Sequence, residues 1–116
     1  MNPLDYSLCT QTVTLYRKED QCIRRQVLEN CFFRLEQRRN VDTLGYRSEP
    51  AFLLIVPGQT QQVFEGDRIL EGAGPEVGPD AWSQFIPALV SGLAVVTYVT
   101  PYHWDGVLCH VEAGGK

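Results

Sequence analysis

The reactive side chains of this chain gather near its C-terminal end, where His103, Asp105, Cys109 and His110 lie close together. His103 and Asp105 are two apart and would share one face of an extended segment. Cys109 and His110 are adjacent and would point to opposite faces, so they do not easily bind one metal ion. The spacing also fits none of the common zinc patterns. We therefore expect neither a metal nor a cofactor.

A cysteine nucleophile is the other chemistry to consider. Cys109 or Cys31 could act with either histidine as its base, but no nucleophile motif surrounds them and no further group is placed to orient the base. Glu65 and Asp67 flank a tight turn, where carboxylates are normally solvated. We expect no catalytic residues. A metal-dependent or cysteine enzyme built on Cys109 and the two histidines is the enzymatic hypothesis that stays open.

Three aromatic residues near the same end form a regular pattern. Tyr98, Tyr102 and Trp104 lie on one face if their strand continues far enough. Such a row can stack on sugars or bases or anchor a protein partner, and it can also be the half-buried wall of a barrel. Together with His110 and Lys116, these residues are our candidate interaction surface.

Composition and charge limit the classes of function. The chain has 116 residues, of which 44% are hydrophobic and 21% charged, as in an ordinary single globular domain. Residues 1–47 hold eight of the ten basic residues, and residues 48–116 hold eight of the fourteen acidic ones. This asymmetry suits copies that meet through unlike surfaces, or it simply keeps the protein soluble. The net charge of -4 disfavours nucleic-acid binding in general, because a strong phosphate-binding protein would show an excess of basic residues, and we expect no sequence-specific nucleic-acid partner.

The environment of the protein is predicted from its cysteines and its apolar runs. The four cysteines have irregular spacings without a CxxC pair, and residues 1–5 lack the features of a secretory signal. We therefore expect a cytoplasmic protein with reduced thiols, in which Cys31 packs as a small apolar residue. The apolar run at residues 52–56 is far too short to span a bilayer, so no membrane partner is expected.

The first half of the chain predicts strands. Residues 11–17 alternate, with Val13 and Leu15 on one face. From Cys22 to about Gln37 the apolar residues fit either a helix or a strand. We favour a long strand that pairs back on the first, because β-branched and aromatic residues recur along it. Residues 38–50 are polar and predict a loop, whereas residues 51–56 predict a strand that is covered on both faces.

The second half predicts shorter elements. A Gly-Asp turn leads into a strand at residues 68–70, and residues 71–79 predict a flexible connection rich in glycine and proline. Residues 80–86 predict about two helical turns capped by Asp80. Residues 93–99 predict a strand that Pro101 ends, and residues 107–111 predict the last strand.

Together these elements predict a mostly β fold, a small β-barrel or sandwich of about six strands with one short helix. The domain spans residues 1–116 and is expected to end in a flexible, glycine-rich C-terminal tail at residues 112–116.

Three features in order resemble a known family. A strand with the sequence Thr-Val-Thr-Leu-Tyr at residues 12–16 is followed by residues 27–33, and the apolar residues 52–57 end in proline before the Gly-Asp turn at residues 66–69. The chain then closes on His-Val-Glu-Ala-Gly-Gly-Lys at residues 110–116. This order is similar to the small minor capsid or head–tail connector proteins of tailed phages and prophages of Gram-positive bacteria.

The resemblance implies a structural subunit that assembles by protein–protein contacts and has no enzymatic activity. Its partners would be portal, capsid or tail components and further copies of itself. It would be cytoplasmic before assembly and part of the virion if the prophage is functional. A small β-barrel that binds a peptide or a carbohydrate is the alternative function.

Overall fold

The chain closes into a six-stranded antiparallel β-barrel, which confirms the predicted mostly β fold. The computed structural model describes residues 6–42 and 45–115, and it describes residues 36–42 and 45–50 by their backbone alone. The strands are β1 (Gln11–Glu19), β2 (Cys22–Asp42), β3 (Gly45–Pro57), β4 (Arg68–Glu71), β5 (Ala94–Trp104) and β6 (Val107–Gly115). Their order around the barrel is β1-β2-β3-β6-β5-β4, and β4 pairs with β1.

The interior of the barrel is filled by apolar side chains from all six strands. Alternation along β1 places Val13 and Leu15 inside, as predicted. Cys31 lies in the same cluster, which confirms its expected role as a small packed residue. Full burial of an aliphatic side chain such as Leu54 stabilises a fold by about 1.5–3 kcal/mol relative to exposure. Burial of these side chains therefore stabilises the closed barrel.

The outer face of β1 is buried as well, which the sequence did not predict. Thr14 and Tyr16 point away from the interior, yet neither is accessible to solvent. Residues 72–93, which connect β4 to β5, lie over this face, and we call them the covering segment. Tyr16 packs there with Phe85 and Leu93. The centroids of the Tyr16 and Phe85 rings are 4.6 Å apart. One outer face of the barrel is thus closed by the chain itself.

Hydrogen bonds hold the covering segment in place, so the prediction of a flexible connection at residues 71–79 was wrong. The Thr14 hydroxyl donates to the carbonyl of Gly72 at 2.6 Å and accepts from the amide of Gly74 at 2.8 Å. The Tyr16 hydroxyl donates to the carbonyl of Pro75 at 2.6 Å. The guanidinium of Arg25 donates to the carbonyl of Gly74 at 2.6 and 2.9 Å. The backbone groups of Gly72, Gly74 and Pro75 that meet the barrel therefore gain partners from its strands.

The predicted helix at residues 80–86 is a single short 3₁₀ helix at Pro79–Gln84. Gly78, not Asp80, occupies its N-cap position, and no side chain caps it. Arg68 fixes the helix from the barrel side, because its guanidinium donates to the carbonyls of Trp82 and Phe85 at 2.7 and 2.6 Å. The same group lies 3.7 Å from the centroid of the Trp82 ring. Contacts with the barrel, rather than helical propensity, determine this element.

A two-stranded ribbon replaces the loop predicted at residues 38–50. β2 and β3 remain paired from Phe32 and Ile55 out to Asp42 and Gly45. β6 pairs with β3 only from Phe52 onward, so within the described backbone residues 36–42 and 45–51 pair only with each other. The radius of gyration is 15.4 Å, against about 13 Å expected for a compact chain of this length. The ribbon extends the molecule beyond its barrel.

Both ends of the final hairpin differ from the prediction. β5 does not stop at Pro101 but continues to Trp104. Beyond Val96 it pairs with β6 alone. A strand with a neighbour on only one side tolerates the missing amide of a proline. Residues 112–115 are not a flexible tail but the last part of β6, where Ala113 and Gly114 are buried between β3 and β5.

Asp67 was predicted to be a solvated turn residue, and this was wrong, since only 1% of it is exposed. Its carboxylate accepts two hydrogen bonds from the guanidinium of Arg17, each 2.8 Å long, and one from the amide of Phe64, also 2.8 Å. The hydrogen bond to Asp67 raises the pKa of Arg17. The pair therefore joins β1 to the turn that precedes β4.

We expect the four thiols to differ in reactivity. Cys22 is exposed, whereas Cys9, Cys31 and Cys109 are buried. Burial raises the pKa of Cys9, and it raises that of Cys31 from 9.0 to about 11. Because the thiolate is the reactive form, Cys22 should react with dithiobis(nitrobenzoate) well before the others. Counting the thiols that react in the native and the denatured protein tests this, and rapid native reaction of all four would contradict it.

Candidate interaction surface

The outer face of β2, β3, β6 and β5, which we call the open face, is not covered by the segment that covers β1. The strand register places its residues in rows across the barrel wall. One row runs from Arg34 through Leu53 and Gly114 to Tyr98, and the next contains Phe32, Ile55, Glu112 and Thr100. A third brings Pro57, His110 and Tyr102 together. The face therefore combines apolar and aromatic side chains with a few polar and charged ones.

A β-bulge explains why the aromatic row faces outward. In the first part of β5, Ala94 and Val96 point into the core. The register then shifts between Val96 and Tyr98, so the following even-numbered residues lie outside. Tyr98, Tyr102 and Trp104 are 50%, 42% and 54% exposed. The sequence-predicted row is thus present on the surface.

Tyr98 and Tyr102 each cover a neighbour on β6. The ring of Tyr98 lies over Gly114, in the space that a Cβ atom there would occupy. The ring of Tyr102 stacks on that of His110, with centroids 4.7 Å apart and planes at 15°. Glu112, which hydrogen bonds with the Tyr102 hydroxyl and repels its phenolate, raises the pKa of Tyr102. Both tyrosines therefore present aromatic rings that are already held against a neighbouring strand.

His110 does not belong to the exposed part of the candidate surface, because it is only 8% exposed. Tyr6 covers it edge-on, and the two side chains share a hydrogen bond of 2.7 Å between the tyrosine hydroxyl and Nδ1. Its Nε2 lies 3.7 Å from a carboxylate oxygen of Glu112. His110 is a support between two tyrosines. Lys116, the other predicted member, lies outside the described residues.

Two cavities open on this side of the barrel, one on each side of Tyr6. The first, which we call the apolar groove, has a volume of about 350 Å³ and is bordered by Leu8, Cys9, Phe32, Arg34, Leu53, Ile55 and His110. The second has a volume of about 400 Å³ and lies between Pro57 and the turn that contains Trp104 and Asp105. Tyr6 is the residue that both cavities share. Recognition here would depend on shape and apolar contact.

The residues considered for catalysis do not form a reactive cluster. Cys109 lies between the exposed turn and the buried part of β6, and its thiol donates to the carbonyl of Val107 at 3.5 Å. His110 is engaged by Tyr6 and Tyr102, and His103 and Asp105 are exposed. Among the side chains of residues 6–35 and 51–115, no three from His, Cys, Asp or Glu are arranged to hold a metal ion. No helix in those ranges is long and apolar enough to cross a bilayer.

Sequence reasoning missed the groove although part of its signal was present. Residues 51–56 are apolar at every position, which indicated a strand covered on both faces. Phe52, Leu54 and Val56 do face the core, but Leu53 and Ile55 are only partly covered. Their neighbours in the groove come from the N-terminal residues and from β2, which are distant in sequence. The apolar character of Leu53 and Ile55 was visible in the sequence, whereas the residues that border the groove with them were not.

No family model, no curated protein and no solved structure matches this chain. The fold and the geometry of the open face are therefore the basis for a functional proposal.

Proposed function

We propose that this protein is a structural subunit of a phage or prophage head–tail connection that acts by protein–protein assembly and not by catalysis. The observation that carries the proposal is the open face. In the part of the chain that the structure describes, one outer face of the barrel is closed by residues 72–93. The other presents Leu53, Ile55, Tyr98 and Tyr102, and residues 6–10 lie over part of it. Exposed apolar surface of this kind marks interaction sites.

Two projections at opposite ends of the barrel support the same proposal. β6 runs antiparallel to β3 and starts beside Pro57, so the β5–β6 turn lies at the end of β3 away from Gly45. The β2–β3 ribbon extends from the other end. A two-stranded ribbon alone is marginally stable in water, and a neighbouring subunit would stabilise it. Such a shape suits a part that joins components on two sides.

The phage setting rests on the family resemblance. Its strand order and its closing residues 110–116 resemble those of small minor capsid or head–tail connector proteins. The partners would then be portal, capsid or tail components and other copies of this chain. We propose a cytoplasmic location before assembly and a place in the virion when the prophage is functional.

Assembly with neighbouring gene products tests this function. We would co-express the protein with the products of the adjacent genes, and examine the purified particles by electron microscopy and mass spectrometry. Portal-containing rings or head–tail particles that include this chain are expected. A protein that never enters such particles, beside adjacent genes that encode no portal, terminase or tail protein, would overturn the proposal.

A peptide- or carbohydrate-binding barrel is the second candidate, and the exposed Tyr98, Tyr102 and Trp104 favour it. Aromatic rings of this kind stack on sugars and anchor peptides. Screening against glycan and peptide arrays tests it. Binding that is lost in Trp104→Ala and Tyr102→Ala, while the thermal unfolding of the protein is unchanged, would establish this function in place of the first.

A further inference from the structure

We infer that this protein binds an aromatic phosphate monoester, such as a nucleoside monophosphate, at one end of the face that the covering segment closes. The site is a cavity of about 480 Å³, which we call the cation cavity, bordered by Arg17, Lys18, Phe64, Glu65, Gly66, Asp67, Arg68 and Trp82. These residues belong to β1, β4, the turn before β4 and the covering segment, and not to the open face. The inference therefore goes beyond the proposed assembly function and does not depend on it.

Arg68 has an unpaired edge of its guanidinium group at this cavity. Its Nη1 atom donates to the carbonyls of Trp82 and Phe85, and the group lies 3.7 Å from the centroid of the Trp82 ring. Within the described residues, Nε and Nη2 make no hydrogen bond, and no carboxylate oxygen lies within 4 Å of the group. Every buried side-chain nitrogen of those residues has a partner, so solvent reaches the two unpaired atoms. The edge is therefore both held in place and accessible.

The Nε and Nη2 edge is the part of an arginine that binds oxyanions through two parallel hydrogen bonds. Arg17 uses it in this way at the same cavity, where its Nε and Nη2 atoms donate to the two carboxylate oxygens of Asp67, each at 2.8 Å. Burial lowers the pKa of Arg68, as expected for a positive charge that is partly removed from water. A bound oxyanion would supply the negative charge that Arg68 lacks.

Lys18 adds a second positive charge to the site. Tyr16 pairs with Arg68 in the register of β1 and β4, and Lys18 lies two residues further along β1. Both cations are therefore on the outer face as diagonal neighbours, within reach of one ligand. Two cations suit a phosphate monoester, with a charge of about -1.5 to -2 at pH 7, better than they suit a carboxylate. Glu65 also borders the cavity and would repel the phosphate.

Phe64 provides a flat apolar surface beside these charges. The guanidinium carbon of Arg17 lies 4.7 Å from the centroid of the ring, and 44% of Phe64 remains exposed. Nucleobases and other aromatic rings stack on such a side chain. A cavity of about 150 Å³ already accommodates a benzene ring, so this one has room for a ring and a phosphate group together. The ligand is thus a phosphate joined to an aromatic ring.

Titration with adenosine monophosphate, adenosine and inorganic phosphate, followed by NMR, tests the site. Trp82 borders the cavity, whereas Trp104 lies at the far end of β5. Adenosine monophosphate should shift the indole N–H signal of Trp82 in a saturable way and leave that of Trp104 in place. The Trp104→Phe variant removes one signal and so assigns both. Adenosine and phosphate should each bind about tenfold more weakly or worse, because each makes only part of the contacts.

Exposed residues allow the charge of the site to be changed without disturbing the core. Lys18→Gln should weaken the binding of adenosine monophosphate about two- to fivefold, and Glu65→Gln should strengthen it by a similar factor. Arg68→Lys keeps the charge but loses the paired donors, so binding should fall about tenfold. Arg24→Gln is the matched control, because Arg24 is an exposed cation that borders a neighbouring cavity instead. Its affinity should equal that of the wild type.

Three results would each overturn the inference. The first is a Trp82 signal that does not move at millimolar adenosine monophosphate, and the second is inorganic phosphate that binds as tightly as the nucleotide. The third is an affinity that neither Lys18→Gln nor Glu65→Gln changes. These two variants decide the question even if Arg68→Lys fails to fold. Loss of the site would leave the assembly function untouched, since the particle experiment does not depend on this ligand.

Discussion

Replacing Arg17 by methionine is expected to lower the free energy of unfolding by about 3–5 kcal/mol, the cost of leaving a buried charge without its partner. Asp67 is 1% exposed and would keep only the amide of Phe64 as a donor. The Arg17 side chain, by contrast, is 24% exposed and can recover hydration when its partner is removed. Asp67→Asn should therefore be less costly than Arg17→Met. Urea unfolding followed by circular dichroism measures both.

Arg24→Met is the matched control for this substitution. Arg24 also pairs with a carboxylate, at 3.6 Å from Glu19, but both side chains are about half exposed. A solvated pair contributes roughly 0–1 kcal/mol. The double variant Arg17→Met/Asp67→Asn should lose less stability than the sum of its single variants, because the two groups interact directly. Equal costs for Arg17→Met and Arg24→Met would contradict our account of the pair.

Gly115→Ala should also destabilise the barrel, by about 1–3 kcal/mol, as expected when a well-packed site is overfilled. A Cβ atom at Gly115 would meet the backbone carbonyl of Val95 and the backbone amide of Thr97. Backbone atoms cannot turn aside as a flexible side chain does, so β5 and β6 would have to separate. The midpoint of urea unfolding should fall accordingly.

Gly78→Ala is the comparison that isolates packing from the loss of glycine. Gly78 has an ordinary φ of -87°, and nothing lies within 4 Å of the position that its Cβ would take. We expect the free energy of unfolding of the Gly78→Ala variant to be unchanged or slightly higher than that of the wild type, because alanine reduces the entropy of the unfolded chain. If Gly115→Ala proved as harmless as Gly78→Ala, the close approach of β5 and β6 at this point would be disproved.

The parts of the fold that were predicted are those in which one face of a strand is buried. Val13 and Leu15 alternate with polar neighbours because only one side of β1 faces the core, and that alternation is visible in the sequence. The ribbon gives no such signal. Residues 38–50 pair with each other and have no core to face, so their polar composition suggested a loop. Pro101 was misleading for a related reason, since its strand has a neighbour on only one side there.

The part of the candidate surface that was predicted consists of residues close together in the sequence. Tyr98, Tyr102 and Trp104 lie in one strand, and alternation was enough to group them. Whether they faced inward or outward depended on the bulge after Val96, which no residue pattern announces. The burial of His110 depends on Tyr6, 104 residues away, and that of Asp67 on Arg17, 50 residues away. Partners brought together by barrel closure are not encoded in local spacing.

The position of β6 has a consequence for how the molecule folds. It is the last of the six strands along the chain, yet it lies between β3 and β5, where Phe52 and Val96 both pair with Gly115. The hairpins of β1, β2 and β3 can form early from neighbouring residues, but the barrel cannot close until residues 107–115 arrive. Contacts between such distant residues slow folding to milliseconds or longer in domains of this kind. Until then β3 and β5 keep unpaired edges, which are the positions at which another chain could pair by mistake.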